Sequence, residues 1–153
     1  YLDGGFKFTG QPDWGPTEYA YSYFSTLSAN ITDDNDGNMV VDPKYYFVKV
    51  DLNTNAIEVT PTQWGIIGSA TPGGWDADTA MTYDENTDTW NVTVDLISGE
   101  LKFRANNLWD INMGGSFDKL LFNANNINIS AGNYTMVLHL GNDDNSYCTV
   151  TKN

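Results

Sequence analysis

Apolar and polar residues alternate in short segments of this chain, and this period of two limits the possible folds more than any other feature. In the clearest segment, Trp90, Val92, Val94 and Leu96 alternate with polar residues. Because successive side chains of a strand point to opposite faces, the pattern predicts a strand with one buried face and places Trp90 in the core. We find no apolar pattern with the period of a helix over more than about two turns.

Turn-forming residues separate the predicted strands at intervals of about 8–12 residues. Pairs such as Asp36-Gly37 and Gly114-Gly115 favour turns between strands. This spacing is typical of a β-sandwich, so we predict an all-β fold of immunoglobulin-like sandwiches rather than alternating strands and helices. Besides residues 90–96, the predicted strands span residues 6–9, 39–41, 45–52, 56–60, 65–68, 100–104, 127–129, 134–140 and 147–151.

An internal repeat predicts tandem domains. Residues 4–8, Gly-Gly-Phe-Lys-Phe, resemble residues 99–103, Gly-Glu-Leu-Lys-Phe, and each segment is followed by a tryptophan, Trp14 or Trp109, six residues later. Residues 46–52 similarly resemble residues 134–140. Residues 61–94 open the second copy and have no counterpart before the first. We therefore predict that residues 1–60 are the back part of an incomplete sandwich and that residues 61–153 form a complete one.

The charge balance argues against several classes of function. The chain has 20 acidic residues against 7 Lys and Arg, giving a net charge of −13. A surface so acidic repels nucleic acid and anionic lipid. The single cysteine, Cys148, and the single histidine, His139, disfavour a disulfide, a His- or Cys-based metal site and a Ser–His or Cys–His catalytic pair. We expect no cofactor, no metal and no catalytic residues.

A set of motifs in the second copy resembles a known family. Residues 66–76 end in Pro-Gly-Gly-Trp-Asp and are followed by Trp90, by residues 100–105, by residues 109–115 and by Asn125-Asn126. In this order the motifs resemble the repeated carbohydrate-binding domains of the SusE and SusF outer-membrane lipoproteins of Bacteroidetes. More distantly, Trp75, Trp109, Lys102 and Asn126 have nearly the spacing of the glycogen-binding domain of the AMP-activated kinase β subunit.

The resemblance implies a glycan site. Trp75 and Trp109 would stack on sugar rings, and Lys102, Arg104 and Asn126 would hydrogen-bond sugar hydroxyls. Alternative interpretations remain: Trp75 could close the edge of the sandwich, Lys102 and Arg104 could be solvated strand charges, and Asn126 could be a turn residue. Lys7 and Trp14 would form a second site in the first copy, provided that a partner tryptophan, which this chain does not contain, completes it.

The resemblance also implies a function and a location. We expect a non-catalytic cell-surface protein that holds starch or a related α-glucan for an outer-membrane uptake system, with carbohydrate-binding-type sandwiches in both copies. A lipid anchor in an N-terminal part beyond this sequence would hold it at the bacterial outer membrane, beside a TonB-dependent transporter and its lipoprotein partner. The alternatives are a sandwich that serves as a spacer or protein-interaction module of such a complex, and an accessory binding domain of a starch-degrading enzyme.

Overall fold

The chain folds into two compact units in a computed structural model, which describes residues 1–12, 17–141 and 145–153. The units are Tyr1–Thr62 and Gln63–Asn153, so their boundary lies two residues beyond the predicted division. Nearly all the regular structure is β-strand, which confirms the prediction of an all-β fold. Among the described residues, no helix has the length and apolar character needed to cross a membrane.

The N-terminal unit consists of small sheets around one apolar cluster. Its elements are β1 (Leu2–Phe6), β2 (Phe8–Thr9), β3 (Glu18–Tyr19), a 3-10 helix (Tyr21–Tyr23), β4 (Thr26–Leu27), β5 (Thr32–Asp33), β6 (Met39–Lys44), β7 (Tyr46–Asp51) and β8 (Ala56–Pro61). Strands β1, β6 and β5 form one sheet, β2 pairs with β3, and β8 lies between β4 and β7. Phe24, Met39 and Ile57 lie in the cluster that these sheets enclose.

The C-terminal unit contains two antiparallel sheets. Their strands are β9 (Trp64–Ile67), β10 (Thr79–Ala80), β11 (Thr82–Asp84), β12 (Thr89–Leu96), β13 (Gly99–Ala105), β14 (Asn112–Ser116), β15 (Lys119–Phe122), β16 (Ile127–Ile129), β17 (Gly132–His139) and β18 (Tyr147–Lys152). The first sheet has the order β10-β9-β13-β14-β15, with β16 also paired to β13, and the second has the order β11-β12-β17-β18.

Alternation along the strands gives each sheet of the C-terminal unit a buried face. Leu101 and Phe103 of β13 are fully buried, as are Met136 and Leu138 of β17. Trp90 of β12 is 3% exposed, which confirms its prediction as a core residue. The opposite face of β13 carries the polar residues between these apolar ones, and it is the face that bears the candidate site.

The predicted turn at Gly114-Gly115 is wrong. Both glycines lie inside β14, where Gly114 pairs with Leu121 and Gly115 with Leu120 of β15. A Cβ atom on Gly114 would lie 2.1 Å from the carbonyl oxygen of Asn125, so the glycine is needed for the close approach of a neighbouring backbone. The glycine pair thus marks a place where another segment of the chain passes close to the strand, not a place where the chain turns back.

The two units share strand registers that follow the sequence repeat. Gly5 pairs with Val40 between β1 and β6, and Glu100 pairs with Asn128 between β13 and β16. Gly5 and Glu100 are 95 positions apart, the offset between residues 4–8 and 99–103. Val40 and Asn128 are 88 positions apart, the offset between residues 46–52 and 134–140. The repeat is therefore present in the backbone pairing of both units. That residues 1–60 are part of a larger sandwich stays a prediction.

A tyrosine hydrogen bond also recurs in both units. The hydroxyl of Tyr46 donates to the carbonyl oxygen of Asp42 at 2.7 Å, and that of Tyr134 donates to the carbonyl oxygen of Ser130 at 3.1 Å. Each acceptor lies four positions before its tyrosine. Such a bond, from a tyrosine near the start of a strand to the backbone upstream, is a feature of many β-sandwiches and fixes the corner between strands.

Candidate functional site

Trp75 lies in a closed turn that follows β9. The amide of Gly68 donates to the carbonyl oxygen of Gly74 at 2.9 Å, and the hydroxyl of Thr71 donates to the carbonyl oxygen of Gly68 at 3.0 Å. These bonds fix the turn over residues 68–77, and the Trp75 residue at its tip remains 38% exposed. The structure therefore places Trp75 on a loop.

Trp109 lies on a second loop, which begins where β13 ends. Asn106 and Asn107 have φ angles of 59° and 57°, a left-handed conformation that asparagine tolerates better than most residues. The side-chain amide of Asn112 donates to the carbonyl oxygen of Trp109 at 2.7 Å, and it also binds the side chain of Asn123 at 2.8 Å. Trp109 is held by its backbone while 47% of its surface is exposed.

Trp75 and Trp109, which we call the tryptophan pair, are direct neighbours. Their ring centroids are 6.1 Å apart and their planes are inclined by 37°. A sugar ring between two indoles would need about 7–8 Å between the planes, because each carbon–carbon contact takes about 3.5–4 Å. The pair therefore leaves no slot for a sugar ring between the indoles, and a ligand would lie against the exposed parts of the two inclined rings.

Arg104 supports Trp109 from the protein side. Its guanidinium carbon lies 4.6 Å from the centre of the Trp109 ring, and its Nε donates to Oδ1 of Asp78 at 2.7 Å. Arg104 is only 6% exposed. The resemblance predicts that Arg104 hydrogen-bonds sugar hydroxyls. Its burial and its ion pair instead favour a role in holding the indole ring.

Lys102 lies on the same face of β13, two residues from Arg104. It is half-buried, and burial lowers its pKa below the usual value of 10.5. Within the part of the chain that the structure describes, its ammonium group forms no ion pair and no hydrogen bond. An ammonium group of this kind offers its three donors to a ligand.

Asn126 and Glu100 lie at the far end of this face. The amide of Asn126 donates to Oε2 of Glu100 at 3.0 Å. The chain before Asn126 passes over Gly114, where a side chain would block it. Because a strand advances about 3.3 Å per residue, Arg104, Lys102 and Glu100 follow one another at steps of roughly 7 Å. The polar groups thus extend away from the tryptophan pair along β13.

The predicted second site, Lys7 with Trp14, is only partly visible. Trp14 lies outside the described residues. Lys7 forms an ion pair with Glu18 at 3.6 Å. Lys7 occupies the repeat position of Lys102, but its ammonium group already has a partner.

Sequence reasoning missed two polar members of the site, Asp78 and Glu100. Asp78 follows the Trp75 turn, and nothing in its sequence neighbourhood distinguishes it from the other acids of this acidic chain. Glu100 could have been found, because it alternates with Lys102 and Arg104 on one strand face. Only the folded chain brings each acid to its partner, Asp78 to Arg104 and Glu100 to Asn126.

Other surface features lie elsewhere. One depression is lined by Thr26, Lys49 and Glu58 in the N-terminal unit, and another by Thr82, Glu85 and Asn91 in the C-terminal unit. Among the described residues, no three His, Cys, Asp or Glu side chains come together as a metal site.

Comparisons with protein-family models, with curated proteins and with solved structures find nothing that matches this chain. The resemblance to the SusE and SusF domains therefore depends on the motifs themselves, and the functional argument depends on the geometry of the site.

Proposed function

We propose that the C-terminal unit is a non-catalytic glycan-binding domain whose ligand lies across the tryptophan pair. The observation that carries the proposal is the pair of half-exposed indoles, on two separate loops, in contact at 6.1 Å. Large exposed apolar surfaces on soluble domains commonly mark interaction sites. Two tryptophans held by separate hydrogen-bonded loops form such a surface without entering the core.

The chemistry of the surface suits a sugar. A pyranose ring has an apolar C–H face and a rim of hydroxyl groups, so an indole covers its face while polar side chains satisfy its rim. Stacking one sugar removes about 50–100 Å² of apolar surface from water, which corresponds to roughly 1–2.5 kcal/mol. Lys102 and Asn126 supply the polar contacts. After the cost of association, we expect a dissociation constant on the order of 0.1–1 mM.

The bend of the surface favours a curved chain. Two rings inclined by 37° present faces that two successive sugars can match only if the glycan itself turns. An α-linked glucan such as starch curves in this way, whereas a flat ribbon-like glycan would contact one ring at a time. We therefore propose α-glucan as the substrate class.

The cellular setting belongs to the same proposal and follows from the family resemblance. The protein would hold α-glucan at the bacterial cell surface, through a lipid anchor, beside a TonB-dependent transporter. Tandem domains would compensate for a weak single site, because a second contact with the same polysaccharide is governed by effective concentration.

Affinity electrophoresis tests the proposal. The intact chain is run in native gels that contain starch, maltodextrin, dextran or levan. We expect starch and maltodextrin to retard it, and we expect Trp75→Ala and Trp109→Ala each to weaken that binding by about fivefold or more, since each removes one stacking surface. Tyr147→Ala is the matched control, because Tyr147 is 41% exposed on the second sheet, away from the pair.

Two results would contradict the proposal. If no glycan retards the folded protein, a spacer or protein-interaction module is the better interpretation, and co-purification with a transporter would support it. If a glycan retards the parent and both tryptophan variants equally, the glycan binds elsewhere on the chain. Weak retardation together with a catalytic domain in the parent protein would favour an accessory domain of an enzyme.

A further inference from the structure

The loop that carries Trp75 leads to a buried carboxylate, Asp78. Its side chain is 4% exposed and that of Arg104 is 7% exposed. Oδ1 of Asp78 accepts the 2.7 Å hydrogen bond from Nε of Arg104, and Oδ2 has no hydrogen-bond partner among the described residues. A carboxylate removed from water is unfavourable unless it is paired, so this ion pair holds both side chains in place.

The same guanidinium group also contacts Trp109. Its central carbon lies 4.6 Å from the ring centre, so the cation faces the π system and occupies one side of the ring. Trp109 in turn contacts Trp75. A series of contacts thus runs from Asp78 through Arg104 and Trp109 to Trp75. It connects the loop before β10 to the loop after β13.

The backbone leaves room for the contact between Asp78 and Arg104. Arg104 pairs across the sheet with Gly65 of β9. A Cβ atom on Gly65 would lie 3.0 Å from the carbonyl oxygen of Thr79 and 3.3 Å from Cβ of Asp78. Because Gly65 has no side chain, Asp78 can lie beside Arg104 on the outer face of the sheet.

We infer that Asp78 is a positioning residue that acts through Arg104 to set the angle between Trp75 and Trp109. Asp78 acts on the Trp109 ring through the guanidinium group of Arg104. The carboxylate of Asp78 holds the guanidinium group of Arg104, and that group holds the Trp109 ring. The loop that contains Asp78 also holds Trp75. The consequence for glycan affinity and linkage preference rests on the proposed function, whereas the consequence for ring geometry does not.

Circular dichroism tests the geometry without any ligand. Two indoles in contact couple their electronic transitions and give a far-ultraviolet couplet whose size depends on their mutual angle. Trp75→Ala and Trp109→Ala identify the signal by abolishing it. We expect Asp78→Asn to reduce the couplet in the intact chain. Asp76→Asn is the matched control, because it removes one charge from the exposed tip of the same loop and leaves the ion pair intact.

Glycan binding tests the functional consequence. We expect Asp78→Asn to weaken maltoheptaose binding by about fivefold or more, because the orientation of Trp109 loses its support. We also expect it to narrow the difference in affinity between maltoheptaose and an α-1,6-linked isomalto-oligosaccharide. A purely structural role for Asp78 would lower the unfolding temperature but leave this difference and the couplet unchanged.

Arg104→Lys decides the matter if Asp78→Asn does not fold. It retains a cation for Asp78 but removes the planar group from the Trp109 ring, so the couplet and the affinity should both fall. A folded variant with the parental couplet would overturn the inference. A reduced couplet in a protein whose parent binds none of the glycans would instead support the positioning role and contradict the proposed function.

Discussion

At the scale of single residues, surroundings give the same side chain opposite roles. Trp64 and Trp90 are each 3% exposed, whereas Trp75 and Trp109 are 38% and 47% exposed. The first two lie in strands and the other two in turns. Arg104 and Lys102 likewise share one face of β13, yet only Arg104 has a carboxylate partner among the described residues. Burial and partners, rather than residue type, separate the core residues from the candidate ligand-binding residues.

Burial also predicts a pH dependence of stability at Cys148. Desolvation raises the pKa of this thiol from 9.0 to about 12. Above pH 9 the unfolded chain loses the proton while the folded chain keeps it, so stability falls as the pH rises toward 12. Between about pH 8 and about pH 10.5 we expect the parent to lose about 2 kcal/mol more than Cys148→Ala, as measured by urea unfolding.

The control in this experiment is the comparison of how steeply the free energy of unfolding falls with pH in the parent and in Cys148→Ala. Lysine and tyrosine groups that titrate in the same range affect the parent and the variant equally, and the cavity left by alanine lowers stability at every pH. If both proteins lose stability equally with pH, the thiol is ionised in the folded state and is not desolvated as the structure describes.

At the scale of elements, the two units repeat the same hairpin. Val48 pairs with Val59 between β7 and β8, and Met136 pairs with Val150 between β17 and β18. Each hairpin begins with the tyrosine that binds the backbone four positions upstream. A side-chain bond that fixes the entry of the chain into a strand helps to select its register, because a slip of one residue would turn its apolar face outward.

The recurring tyrosine bonds predict matched losses of stability. Tyr46→Phe and Tyr134→Phe each remove one hydroxyl and leave a carbonyl oxygen without that donor, so each should lower the free energy of unfolding by about 1 kcal/mol. Urea or thermal unfolding measures the loss. Tyr147→Phe is the control, because its ring is exposed and stacks on His139 through its face. Parental stability in both corner variants would show that the bonds contribute nothing net.

At the scale of the whole molecule, every described residue of the candidate site belongs to one unit. The tryptophan pair, Lys102, Arg104 and Asn126 all lie within Gln63–Asn153. The net charge of −13 adds a general repulsion of anionic polymers, which is consistent with a neutral ligand. The candidate site thus requires no residue of the N-terminal unit.

A fragment of residues 63–153 should therefore bind a short α-glucan as well as the whole chain does, within about twofold. Isothermal titration with maltoheptaose measures both proteins, and the fragment with Trp75→Ala is the control. A folded fragment that has lost affinity would show that residues 1–62 contribute to the site. A short oligosaccharide is essential, because a polysaccharide could engage two sites and raise the apparent affinity of the whole chain.

The period of two and the turn residues predicted most of the strands of the C-terminal unit. They failed at β14, where Gly114-Gly115 indicates a turn by its local preference but makes room for another segment of chain. They also missed short strands such as β10, whose two residues are too few for any period to appear. Local preference cannot identify a glycine whose requirement comes from a distant segment.

Alternation and turn chemistry are properties of neighbouring residues, so the all-β fold and the repeat can be predicted from the sequence alone. The folded structure was needed to show that the two indoles touch, that Arg104 lies buried against one of them and that Asp78 is its partner. Those contacts join residues from separate loops, and their geometry depends on how the loops close over β13. The spacing of these residues in the sequence does not specify the geometry of their contacts.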